Sequence, residues 1–173
     1  PSGDCISVAH ESTRRIAFED LGCNGAFTVF NSTRDLLGIV REHMKFFGDG
    51  KPQELAYASR VLEAMKSDEA VVPAIWSLEV ANVLARAEAK ELGTEARSEA
   101  FVGMLQRMDI VIDSATSAQA LGSTLQLARR FKLSAYDASY LELALRESLP
   151  LATLDDDLTK AAKRAGVKRF DVK

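Results

Sequence analysis

Ser134-Ala135-Tyr136-Asp137-Ala138-Ser139-Tyr140, followed by Leu151-Ala152-Thr153-Leu154-Asp155, decides how this chain reads. In the first stretch Ser134 precedes Asp137 by three residues, the form of a capping box at a helix start. Helical spacing then runs to about Glu147, and Pro150 ends it. Leu151 to Leu154 is a short apolar strand. One of Asp155, Asp156 and Asp157 caps the next helix, Leu158 to Ala165, which Gly166 closes. Val167 to Val172 reads as a last strand.

The same alternation extends backwards from this point. Pro52 to Lys66 carries Leu55, Ala58, Leu62 and Met65 at helical spacing. Ala70 to Pro73 is a buried strand. Ile75 to Leu92 is a helix closed by Gly93, and Thr94 to Met108 is another. Ile110 to Ile112 is a strand, and Ser117 to Phe131 a single helix. Short apolar strands alternating with helices imply an α/β fold around a central parallel sheet. Such sheets collect ligands at the carboxyl ends of their strands.

The bulk properties fit one soluble domain, or one domain with an extension. The chain has 173 residues, of which 47% are hydrophobic and 27% charged. A net charge of -3 excludes a molecule that is basic overall, so any nucleic-acid contact needs a local patch. Candidates for one are Arg129, Arg130 and Lys132, and the tail residues Lys160, Lys163, Arg164, Lys168, Arg169 and Lys173. For each group a solvated face is the competing reading. Apolar runs are broken by charges before membrane-spanning length. The first thirty residues lack a basic start and apolar stretch, so no signal peptide is expected. Cys5 and Cys23 have no metal-type spacing, which suits a reducing, cytoplasmic setting.

From Val71 onward there is neither His nor Cys. Any chemistry there belongs to carboxylates, hydroxyls or basic groups. No P-loop, G-x-G-x-x-G or G-x-S-x-G element occurs, and there is no zinc-ligand spacing. Three acids stand out. Glu79 lies in the apolar run Trp76-Ser77-Leu78-Glu79-Val80-Ala81-Asn82, on the face of Ile75 and Val83. Asp137 shares the stripe of Tyr140, Leu141 and Ala144. Asp155 follows the strand Leu151 to Leu154. Each also has an ordinary explanation: the helix dipole for Glu79, a cap for Asp137 and for Asp155. Acids on apolar elements are costly to bury, and several together most often hold a divalent cation. Spacing leaves both readings open. Tyr57, Tyr136, Tyr140 and Trp76 read as core or core-edge packing.

With these pieces in order, the stretch from about Phe46 to Val172 resembles the PIN-domain nucleases, especially VapC-type toxins of toxin–antitoxin pairs. The resemblance rests on Val72-Pro73-Ala74 with Leu78-Glu79-Val80-Ala81-Asn82, on Leu127-Ala128-Arg129-Arg130 with Leu133 to Leu141, and on Leu151 to Asp155 with Leu158 and Ala161-Ala162. It implies a three-layer α/β/α sandwich and an endoribonuclease using Mg²⁺ or Mn²⁺. Glu79, Asp137 and Asp155 are then the catalytic metal ligands, with Thr153 and Asp157 as weaker candidates beside them. It also implies an RNA substrate, a VapB-type antitoxin partner and a homodimer, with no membrane association.

One element departs from the family. Its central first strand ends in an Asp followed closely by Ser or Thr. Here Leu36 to Lys45 occupies the expected place without an acid at that point. Two explanations compete. In one, Phe27-Thr28-Val29-Phe30-Asn31-Ser32-Thr33 is the first strand and Asn31 stands for the Asp. In the other, residues 1–45 are an atypical segment from a shifted reading frame, and the domain proper is 46–173. Either way the site lacks one carboxylate, and Mg²⁺ is expected to bind weakly. The alternative function is a catalytically inactive PIN-fold module that retains antitoxin binding. An unrelated α/β phosphatase would need a nucleophilic first-strand Asp, and the sequence offers none.

Overall fold

Ala70-Val71-Val72-Pro73 is one of four short strands whose hydrogen bonding organises the domain. The computed structural model describes residues 27–29, 52–65 and 68–170. In chain order the elements are β1 (Phe27–Val29), α1 (Pro52–Ala64), β2 (Ala70–Pro73), α2 (Trp76–Ala89), α3 (Glu95–Leu105), β3 (Ile110–Asp113), α4 (Thr116–Gln119), a π-helical segment (Ala120–Thr124), α5 (Leu125–Phe131), α6 (Ala135–Glu147), β4 (Leu151–Ala152) and α7 (Asp156–Ala165). The strand order is β3-β2-β1-β4, and every pairing is parallel. β1 lies inside the sheet, with Thr28 paired to both Val71 of β2 and Leu151 of β4. Parallel strands buried this way are covered by helices on both faces, the α/β/α sandwich expected of the sequence.

The core joins these layers. α1 contributes Tyr57, Val61 and Leu62, with Met65 just after its end, α2 Trp76, Val80, Val83 and Leu84, α6 Tyr140, Leu141 and Ala144, and α7 Leu158, Ala161 and Ala162. Tyr140, Met65, Leu141, Leu151, Leu158 and Val61 are among the side chains removed completely from water. Each such burial is worth roughly 1.5–3 kcal/mol before entropy is counted. The Tyr57 hydroxyl donates to the Phe170 carbonyl at 2.9 Å, so its polar tip is satisfied at no cost to the packing.

The helices start and stop by local chemistry. Ser134 and Asp155 cap α6 and α7 with their side chains. α2, α5, α6 and α7 end in one closure. In each, a left-handed residue (Glu91, Lys132, Ser148, Gly166) lets the next N–H return to an earlier carbonyl, as Leu92 does to Ala87 at 2.9 Å. Only one of the four is Gly.

The structure corrects several expectations. α2 stops at Ala89, ahead of Gly93, because Glu91 itself adopts the left-handed turn at φ 55°. The single helix over 117–131 is interrupted, since Gly122 leaves helical geometry (φ -105°, ψ -106°) within the π segment. The last strand is reduced to a parallel bridge between Leu151 and Arg169 among the described residues. Tyr136 is not core packing: it is 61% exposed, whereas Tyr57, Tyr140 and Trp76 are buried. A strand is found at Phe27–Val29, where one of the two explanations for the N-terminus expects it. Asn31 and the tail residue Lys173 lie outside the described residues, as do residues 30–51 generally.

Candidate metal centre

Each candidate acid sits where a helix begins. Glu79 is in the first turn of α2, two residues of turn after β2. Asp137 is in the first turn of α6, and Asp155 is the N-cap of α7, just beyond β4. Helix starts concentrate unpaired N–H groups and favour negative charge. The dipole and cap readings are therefore realised for these residues, and they account for how the acids are held.

What they hold in reserve is the more informative point. Ser134 Oγ donates to Asp137 Oδ2 at 2.7 Å, while the Asp137 N–H donates back to Ser134 Oγ at 3.0 Å. The Leu158 N–H donates to Asp155 Oδ1 at 2.8 Å, and the Asp155 N–H donates to Thr153 Oγ1 at 3.0 Å. The Tyr140 hydroxyl donates to Glu79 Oε2. In all three acids one oxygen is tethered, and the other accepts no hydrogen bond among the described residues.

The charge of Asp137 is felt at Glu79. Burial pushes the Glu79 carboxyl above its usual range, the Tyr140 hydrogen bond pulls it down, and the charge of Asp137 raises it further. Neither acid has a basic partner among the described residues. A divalent ion would relieve the like-charge interaction of two such carboxylates. The donor set is hard oxygen, and Mg²⁺ sites commonly use one or two carboxylates with waters completing the shell. The pair therefore fits such an ion.

Asp155 is not gathered with them. Among the described residues no group of three or more His, Cys, Asp or Glu side chains is placed to hold a metal. Thr153 is buried and steadies Asp155. Asp157 is exposed and pairs with Lys160 at 3.1 Å.

Sequence reasoning passed over two features. Tyr140 was read as packing, yet its hydroxyl reaches Glu79 across 61 positions of chain. Asp113, at the end of β3, binds Arg146 Nη2 at 2.8 Å and accepts from Thr116 Oγ1 at 2.8 Å. Thr116 Oγ1 in turn accepts from the Ala74 N–H at 3.0 Å, in the turn leading to Glu79. Asp113 had a visible signal as the acid ending a strand. The Tyr140 contact had none.

An α/β/α sandwich with a parallel sheet, with acids at the starts of the helices that follow its strands, defines the class of the domain. The PIN domain family matches residues 44–164, and the chain belongs to that family. The family generally uses divalent metals and points to nuclease chemistry on nucleic acid. The fold is similar to that of PAE2754 from Pyrobaculum aerophilum, with a TM-score of 0.54, 19% identity and 88% of each chain covered. A 47-residue stretch is also 66% identical to the NAD-reducing hydrogenase HoxS subunit alpha of Cupriavidus necator. That stretch is 27% of this chain and spans only 8% of the hydrogenase subunit. Among the described residues no helix is long and apolar enough to cross a membrane.

Proposed function

We propose that the domain is a VapC-like ribonuclease that cleaves RNA phosphodiester bonds with Mg²⁺ or Mn²⁺. The observation that carries this reading is the Glu79–Asp137 pair, held by hydroxyl donors and without a basic neighbour among the described residues. Glu79 and Asp137 are the metal-holding catalytic residues in this reading, while Asp155, not gathered with them, caps the start of α7. A divalent ion bound there would supply charge neutralisation at the scissile phosphate. Ser134 and Tyr140 orient the two acids. Thr153 orients Asp155. Arg129 and Arg130, in the last turn of α5, and Lys132 just before Ser134 offer positive charge to the RNA backbone.

Asn31 follows β1 by two residues. In this reading it takes the place of the family's first Asp, giving a neutral oxygen and a weaker ion site. That substitution is the specific observation behind a second reading, in which the protein is an inactive PIN-fold module kept for antitoxin binding. In both readings the partners are a VapB-type antitoxin and a second copy of the chain, in the cytoplasm. The exposed apolar residues Leu78, Tyr136 and Leu121 support such contacts.

The test is RNA cleavage by the purified chain in Mg²⁺ or Mn²⁺, against the same reaction in EDTA. Ion-dependent cleavage that Asp137→Asn abolishes supports the nuclease. Absence of cleavage together with tight antitoxin binding supports the inactive module.

A further inference from the structure

Tyr140 spends its hydroxyl in an unusual place. Its ring is wholly buried in the core, so the position of the phenol is fixed by packing rather than by the hydrogen bond it makes. It lies one turn after Asp137 on α6, which puts the phenol and that acid on the same face of one helix. A buried phenol needs a partner, but a backbone carbonyl suffices, as Phe170 does for Tyr57 at 2.9 Å. Tyr140 instead donates to Glu79, a residue on another helix with three rotatable bonds of its own.

We propose that Tyr140 is a positioning residue for the cation site, fixing one oxygen of Glu79 so that the other is presented singly to a small divalent ion shared with Asp137. The inference rests on the reading of the acid pair as a metal centre. It adds which oxygen is available, what holds it, and which ions it suits. With Oε2 taken by the phenol, Glu79 cannot readily grip an ion with both oxygens. Mg²⁺ and Mn²⁺ accept single oxygens in octahedral shells, whereas Ca²⁺ takes more ligands and often a two-oxygen carboxylate. The phenol also removes the rotamer freedom Glu79 would otherwise lose on binding. Ser134 serves Asp137 in a parallel way, binding Oδ2 at 2.7 Å.

The experiment is titration of the full chain with Mn²⁺, following the free-ion signal by electron paramagnetic resonance, for wild type and Tyr140→Phe. The Phe ring keeps the packing and removes the hydroxyl that binds Glu79. Apo circular-dichroism melting is recorded alongside to confirm that the variant folds. Outer ligands of this kind typically govern metal affinity by about 10–100-fold, so a weakening of that size is expected for Tyr140→Phe. In the wild type, which needs no variant, Ca²⁺ should displace Mn²⁺ poorly. Unchanged or tighter Mn²⁺ binding in Tyr140→Phe overturns the positioning role and leaves the metal centre standing. Ready displacement by equimolar Ca²⁺ overturns the single-oxygen presentation. No Mn²⁺ binding by the wild type overturns the metal centre and the inference together.

Discussion

Two acidic clusters in this domain are built in opposite ways. Around Arg146, three carboxylates converge on one guanidinium: Asp113 at 2.8 Å, Glu142 at 3.0 Å and Glu147 at 2.5 Å. Burial opposes the Arg146 charge, but the hydrogen bond and charge of Glu142, with Asp113 and Glu147, more than offset it and raise its pKa. Glu142 is almost fully buried and Asp113 nearly so, and both depend on that cation. At the other cluster, Glu79 and Asp137 meet only hydroxyl donors among the described residues. The lesson is that acids serving the fold bring their counter-ion with them. The pair at the helix starts has no basic partner among the described residues, and the proposed cation site rests on that difference.

The comparison is most severely tested by Arg146→Met. Removing the guanidinium strands buried carboxylates, and a loss of about 3 kcal/mol is expected from urea unfolding. A loss under about 1 kcal/mol, the range of an exposed ion pair, would mean the Arg146 cluster is no more structural than the acid pair. Glu79→Gln should act in the opposite direction. Burial raises the Glu79 carboxyl above the 4.5 of a free glutamate, so between its unfolded and folded pKa the folded state holds more protons. Its contribution is therefore most favourable below about 4.5 and declines as pH rises through the folded value. The apo Gln variant should be slightly more stable than wild type at pH 7, by less than about 1 kcal/mol. That advantage should vanish in melts taken near or below the unfolded pKa. A variant that is less stable at pH 7 and recovers at low pH would contradict the uncompensated charge. The smallest effect belongs to Lys160→Ala. Its partner Asp157 is solvent-exposed, and deleting this pair should leave urea unfolding unchanged.

Much of the framework was legible because it is local. Ser134 with Asp137, the strand after Pro150 and the closure at Gly166 each follow from neighbouring residues, and the structure contains all three. The stripe of Asp137 with Tyr140, Leu141 and Ala144 is likewise a matter of helical spacing, and the last three are buried. What spacing does not carry is the choice of partner across the chain. Tyr140 with Glu79 and Asp113 with Arg146 are pairs that only tertiary packing selects. The same gap explains Tyr136, whose aromatic character suggested packing, although the first turn of α6 leaves it in solvent. Gly93 looked like the natural end of α2. Glu91 ended it first, because tertiary context accepted a left-handed turn at a residue that does not favour it.

The central claim is that Glu79 and Asp137 form a divalent-cation site. The most direct measurement is thermal melting of the chain and of Asp137→Asn, each with and without Mn²⁺. Asn keeps the shape and the Ser134 contact while removing one charge, so apo stability should shift by about 1 kcal/mol or less. An ion that binds only the folded state raises its melting temperature. The account predicts a Mn²⁺-dependent rise in the wild type that Asp137→Asn loses. A wild type that melts at the same temperature with and without Mn²⁺, or an Asn variant that keeps the full rise, would contradict it.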